Sequence, residues 1–257
     1  MRFGLWTNID GIQQTIEAGF DYLEIALSQI AKLDEQQFED LRIRLESSPV
    51  KCEVCNIMLP GGSLSLYDRC HDELLQYIIG AFNRASQLGV EQIVFGSGKA
   101  RMHGENISKE HAWDTMVKFA RMVGDKAGDI TIVVEPLNLT ETNTINSIAE
   151  GIAFVKNVNH PNVALLADFY HMRMENENMN ELLKTEKLIK HTHIAKNIDR
   201  TFPLSVDEDI YTEFFAMLKQ LGYNGRMSIE AKTRDFANDA PASLKLLRRL
   251  AMEAYRS

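Results

Sequence analysis

The chain has 257 residues, 45% of them hydrophobic and 25% charged, which is ordinary soluble composition and enough for one large core. Its 28 Lys and Arg stand against 36 Asp and Glu, a net charge of −8 that repels phosphate backbones and argues against nucleic acid as a partner. No apolar run reaches the roughly 18 residues of a membrane span, the opening MRFGLWTNIDG lacks an apolar signal core, and three cysteines suit a reducing compartment, so the sequence predicts a cytoplasmic protein with no membrane partner.

In chain order, short apolar runs predict strands at 2–6, 22–26, 51–56, 92–96, 131–135, 163–167, 189–194 and 226–230, most of them bounded by Gly, Asn, Asp or Pro. Amphipathic stretches between them, with apolar residues three and four apart, predict helices that include 34–46, 73–87, 109–126, 147–157, 210–221 and 242–255. Pro60 and Gly61–Gly62 punctuate the loop after the third strand. Strands alternating with helices imply a parallel sheet covered by helices. Eight repeats in this length favour a closed barrel, and no Gly-rich dinucleotide fingerprint follows the first strand. The expected fold is α/β, a (β/α)8 TIM barrel in a single domain over 1–257.

Such barrels carry their active sites at the C-terminal ends of the strands. There the fifth strand ends in Glu135, the sixth in Asp168, the seventh carries His193 and the eighth ends in Glu230. Each has a bland reading alone: an acid after a strand is often a helix N-cap, and a strand histidine is often a satisfied core residue. Glu135 and Glu230 close strongly apolar runs, however, where an unpaired charge is costly. Four coincidences on adjacent strands together predict a site for one divalent metal ion. With three carboxylates, one imidazole and no thiolate, the favoured ion is Mn²⁺, with Co²⁺, Mg²⁺ or Zn²⁺ as alternatives.

Candidate substrate-binding residues lie on the loops beside these four: Glu141, His171, Arg200 and Arg101, with Asn138 and Asn56 as weaker candidates of the same kind. For Glu141 and Arg101 the competing reading is solvent exposure. Cys52 and Cys55 form a C-x-x-C, but residues three apart in a strand point to opposite faces, so the sequence reads them as buried thiols, not a zinc grip. His191 is in phase with His193, should also point inward, and is expected to hydrogen-bond a neighbour without touching the metal. The turn GSGKA lacks the spacing and final Ser/Thr of a phosphate-binding loop.

The segments VVEPLNLTETN, LLADFYHM, HTHIAKNIDR and MSIEAK resemble the corresponding blocks of the xylose-isomerase-like barrel superfamily. That group includes D-tagatose 3-epimerase-like ketose epimerases, hydroxypyruvate isomerase, inosose dehydratase and endonuclease IV. The ketose-epimerase pattern implies that Glu135, Asp168, His193 and Glu230 bind the metal, that Glu135 and Glu230 also transfer the proton, and that Glu141 and His171 contact the substrate near its carbonyl end. Arg200 resembles the substrate-binding arginine of that pattern but lies one residue farther from His193. The endonuclease pattern also requires histidines in the loops after strands three and four and an Asp-x-His after strand seven. NIMLPGG, FGSGKAR and TFPLSVDED supply none of these. The resemblance implies a metal-dependent sugar isomerase or epimerase that moves a proton through a metal-stabilised enediolate on a ketose or related keto sugar. The alternatives are a dehydratase of a keto sugar or inosose and, after it, a non-catalytic sugar-binding barrel or an endonuclease IV-like nuclease. The partner is a small sugar or sugar derivative, and a homo-oligomer is left open.

Overall fold

Eight parallel strands close into a barrel, each hydrogen-bonded to the next and the last to the first. They are β1 (Arg2–Thr7), β2 (Tyr22–Ala26), β3 (Cys52–Asn56), β4 (Gln92–Phe95), β5 (Thr131–Val134), β6 (Val163–Asp168), β7 (Ile189–Ile194) and β8 (Arg226–Ile229). This computed structural model describes residues 1–60, 65–67 and 71–256; the Gly61–Gly62 turn lies outside the described residues. The predicted barrel is therefore observed, with every strand within a residue of its expected bounds.

The outer layer comprises α1 (Ile12–Glu17), α2 (Leu27–Ile30), α3 (Glu35–Ser47), α4 (His71–Gln87), α5 (Gly98–Arg101), α6 (Lys109–Lys126), α7 (Ile148–Val158), α8 (Phe169–Met174), α9 (Tyr211–Gln220) and α10 (Phe236–Arg256). Three helices begin where a side chain accepts a free amide: Asp34 forms a capping box with Gln37 at α3, and Ser108 and Ser147 cap α6 and α7. α10 starts earlier than expected, because the Asp235 carbonyl already accepts the amides of Asn238 and Asp239 ahead of Pro241. After β6 there is no full amphipathic helix. The single turn and a half of α8 stops at Asn176, which takes a left-handed φ of 53°, and a 3₁₀ segment (Met179–Thr185) covers the sheet instead.

Two apolar layers result. Outward-facing strand residues such as Leu23, Ile25, Ile93, Ile132, Leu165 and Ile229 pack with the helices in the main core. Inside the barrel, Tyr22, Val54, Val94, Val133, Ala164 and Leu166 form a separate plug. Gly4 makes room for that plug, since a Cβ there would lie 2.2 Å from the Tyr22 ring.

One expectation is corrected. Pairing between β2 and β3 slips between Leu23 and Glu24, so that Leu23 faces Cys52 while Glu24 faces Val54. The extra residue reverses the alternation. Cys52 and Cys55 therefore share the outer layer instead of pointing to opposite faces. Both are free and fully buried, and the hydrogen bond from Cys52, followed by burial, holds the Cys55 thiol well above its ordinary pKa. The reading as buried thiols stands for a different geometric reason.

Candidate metal centre

Parallel strands that tilt around one axis bring their C-terminal ends to a common mouth, and β5 to β8 deliver the four expected donors there. Glu135, Asp168, His193 and Glu230 each offer a ligand atom, and these atoms all lie within 4.8 Å of one another. His193 Nδ1 sits 3.0 Å from Glu135 Oε1 and 3.3 Å from Glu230 Oε2. Gly96 leaves the space that the Glu135 carboxylate occupies; a Cβ would come within 2.3 Å of Oε2.

Asp168 caps a helix with one oxygen and faces the mouth with the other. Its Oδ1 caps α8, accepting the Tyr170 amide at 2.7 Å, while Oδ2 is buried in the mouth with no hydrogen-bond partner. Burial, then the charge of Glu135, raises the Asp168 pKa to about 7. Burial likewise raises Glu135. Burial works against charge on Glu230 too, but Arg200 and His193 override it and bring its pKa down to about 2. Burial opposes the His193 imidazolium, yet the surrounding Glu24, Glu135 and Glu230 carboxylates hold its pKa well above the usual value.

This donor set fits a divalent cation. Three carboxylates crowd one imidazole in a buried site, an aspartate oxygen is orphaned there, and like charges destabilise one another unless a cation joins them. Hard and borderline ions with oxygen and nitrogen ligands match the chemistry.

The flanking candidates take distinct places. Arg200 reaches across the mouth, donating through Nη1 to Glu141 Oε1 at 3.0 Å and through Nη2 to Glu230 Oε2 at 2.6 Å, with its guanidinium carbon 4.6 Å from the Tyr170 ring centre. It is held by a tight turn in which Asp199 and Arg200 both take left-handed backbone, with φ of 67° and 50°. Such consecutive non-glycine positions are strained. His171 is buried; its Nδ1 accepts the Asn138 amide at 3.1 Å, and its Nε2, 3.5 Å from Asp168 Oδ2, has no partner. Burial, then Arg200, keeps His171 well below its ordinary pKa and hence neutral. Asn138 thus positions His171, and its Oδ1 accepts from Thr140. Asn56 donates to Glu230 Oε1 at 3.1 Å and accepts from Trp6 Nε1 at 3.0 Å, so it holds the glutamate in place.

Arg101 differs from both readings offered for it. It is neither solvent-exposed nor on the open rim; it is completely buried behind the mouth and donates to the main-chain carbonyls of Phe95 and Glu135 at 3.0 and 2.9 Å. Burial lowers its pKa to about 10, and its Nε and Nη2 lack partners. The four residues of α5 turn the side chain back under β4 and β5.

Glu24 was missed. Fully buried on β2, it accepts from His193 Nε2 at 2.9 Å and His191 Nε2 at 3.1 Å. The expected inward hydrogen bond of His191 is therefore present, and its partner is this carboxylate. The signal was in the sequence: an acid inside the apolar run YLEIA is as costly unpaired as Glu135 or Glu230.

The family model described as "Xylose isomerase-like TIM barrel" matches residues 12–250. The chain belongs to that family. It is 29% identical over 222 residues to the L-ribulose 3-epimerase of Methylomonas sp. (strain DH-1), covering 83% of this chain and 74% of the relative. It is 26% identical to a probable ketose 3-epimerase of Synechocystis sp., covering 86% and 78%. A crystal structure of a D-psicose 3-epimerase in the presence of D-fructose superposes with a TM-score of 0.86 at 18% identity, over 98% of this chain and 99% of that one, a likeness of fold. Among the described residues, no helix is long and apolar enough to cross a membrane.

Proposed function

We propose that this protein epimerises a small ketose by moving the proton on the carbon beside the carbonyl, using one divalent ion, Mn²⁺ by preference, held by Glu135, Asp168, His193 and Glu230. The observation that carries the reading is the pair of glutamates. Glu135 and Glu230 come from strands on either side of β6 and β7, yet both reach the same nitrogen of His193. The ketose 3-epimerase names of the curated relatives support the same class of chemistry.

When bound, the ion supplies Lewis-acid stabilisation of negative charge on the substrate's carbonyl oxygen. The remaining work falls to side chains. One glutamate removes the proton from one face of the carbon, and the other returns a proton to the opposite face, which inverts the centre. Because His171 Nδ1 accepts the Asn138 amide, its hydrogen lies on Nε2, where it is free to be donated to a substrate oxygen. Glu141 and Arg200 bind substrate hydroxyls at the outer edge. Arg200, which also engages Glu230, keeps that carboxylate ionised and ready to accept a proton.

The test is proton exchange in D₂O, followed by NMR across ketoses, ketose phosphates and inososes, with protein purified without chelator and analysed for metal. Deuterium entering at C3 with inversion is expected, together with about one metal equivalent per chain. Transfer between C1 and C2 would make the enzyme an aldose–ketose isomerase, and loss of water would make it a dehydratase. A protein that exchanges no proton in any of these sugars would be a binding module. Full activity in EDTA would remove the metal from the account.

A further inference from the structure

Below the four donors, inside the barrel, lies a second buried cluster that the proton chemistry does not use. Glu24, His191 and His193 each offer an atom to it, and all three side chains are completely buried. A carboxylate has no hydrogen to donate, so the hydrogen in each of its two contacts must come from the imidazole. Glu24 Oε1 receives one from His193 Nε2 at 2.9 Å, and Oε2 receives one from His191 Nε2 at 3.1 Å. His191 then carries its single hydrogen on Nε2, which agrees with its Nδ1 being buried and without a partner. The Tyr22 hydroxyl meets Ser228 Oγ at 2.9 Å, and Ser228 Oγ lies 3.4 Å from His191 Nε2, closing the cluster from below. The two imidazoles stand edge to face, 4.9 Å apart and 85° between planes, and so pack against each other.

We infer that Glu24 is a positioning residue for the metal centre: it keeps one hydrogen of His193 on Nε2, so that Nδ1, which faces the Glu135 and Glu230 carboxylates, is the nitrogen that would give up its hydrogen and present its lone pair to the ion. His191 completes the device by occupying the other carboxylate oxygen, so Glu24 cannot rotate away. The inference rests on the ligand set of the proposed function but not on any sugar. Without Glu24, the His193 ring can hold its hydrogen on either nitrogen and turn between Glu135 and the barrel interior. A carboxylate behind a ligating imidazole also strengthens it as a donor, and loss of such a partner typically weakens metal binding about 10–100-fold.

The experiment uses the full chain. In wild-type protein loaded with Zn²⁺ as a diamagnetic probe, long-range ¹H–¹⁵N correlation should show His193 with a metal-shifted Nδ1 and a slowly exchanging hydrogen on Nε2. Titration with Mn²⁺ and Co²⁺ should show affinity about 10–100-fold weaker in Glu24→Gln, which keeps the size of the side chain. His191→Asn should weaken binding less, because one carboxylate bond to His193 survives. Ligation of Zn²⁺ through Nε2, or unchanged affinity in Glu24→Gln, would overturn the assignment. So would a second metal equivalent lost in Glu24→Gln while the first is retained, because the cluster would then be an ion site of its own. Should Glu24→Gln fail to fold, the wild-type spectrum still decides. Metal bound with no effect of Glu24 defeats only this inference, whereas metal bound with no sugar exchanged defeats only the epimerase reading.

Discussion

The two ends of the barrel both concentrate charge, and the contrast between them separates structure from chemistry. At the N-terminal end, Arg2 and Arg226 meet Glu53 at 2.5 and 2.6 Å, and Arg226 also meets Glu91 at 2.6 Å. Cations and anions balance there, each has a partner, and most keep some access to water. The C-terminal mouth gathers Glu24, Glu135, Asp168 and Glu230 around His193 and Arg200, deeper and with an excess of negative charge. It also leaves Asp168 Oδ2 and His171 Nε2 without hydrogen bonds, although they lie 3.5 Å from each other and Arg200 Nη2 lies 3.7 Å from Oδ2. A balanced, paired cluster closes a barrel. A buried, unbalanced one suits a cation that would complete it, and its polar atoms without hydrogen bonds face the place such a cation would take.

The strongest way to break this comparison is to neutralise the mouth. Glu230→Gln should cut proton exchange about 10²–10⁴-fold, roughly 3–5 kcal/mol of barrel-mouth transition-state stabilisation, because the amide cannot accept the proton. NMR exchange rates in D₂O, with metal content measured alongside, check this; wild-type exchange in the variant would refute the two-glutamate mechanism. His171→Ala and Glu141→Ala should each lose about 1–3 kcal/mol in kcat/KM while binding metal nearly normally, since they lie beside the donors and not among them. Steady-state kinetics in which neither variant changes would reduce both to loop residues.

At the other end, Arg226→Met should cost about 1–3 kcal/mol of folding stability by leaving Glu53 and Glu91 short of a partner. Urea unfolding would register that loss, with kcat expected to stay at the wild-type value. A fall in kcat without loss of stability would erase the distinction between the two ends.

A further expected effect is on pH dependence. The folded Asp168 pKa, raised to about 7 from 3.8, means that the native state holds an extra proton between those values. The associated stability is fully present below the unfolded pKa and is lost as pH rises through about 7. Glu177, raised by burial to about 7, acts in the same direction, whereas the lowered Glu230 acts only as pH falls from its unfolded value toward about 2. Metal-free protein should therefore melt lower at pH 8 than at pH 5, by on the order of 2–4 °C for each kcal/mol involved. Asp168→Asn should remove part of that slope, and saturating divalent ion should raise the melting temperature at pH 8 by mass action. Calorimetry that finds the same slope in Asp168→Asn would show that this aspartate is not the titrating group.

The sequence by itself determined the barrel, because eight apolar runs separated by amphipathic stretches leave little else to build. It also marked Glu135, Asp168, His193 and Glu230, since strand ends in this fold converge on one mouth and an acid ending an apolar run calls for a partner. Tertiary structure alone decided matters that depend on one-residue offsets and on side-chain reach. The slip in β3 pairing put Cys52 and Cys55 on one face, where strict alternation separates them. The short α5 turned Arg101 inward to the Glu135 carbonyl, although its position just after a strand suggested the rim. Glu24, far from the other donors in sequence and inside a strand instead of at its end, became a partner of His193 only when β2 and β7 faced each other across the closed barrel. Periodicity records which way a residue faces within its own strand; what it meets across the barrel is fixed by register and closure, and these are properties of the whole sheet.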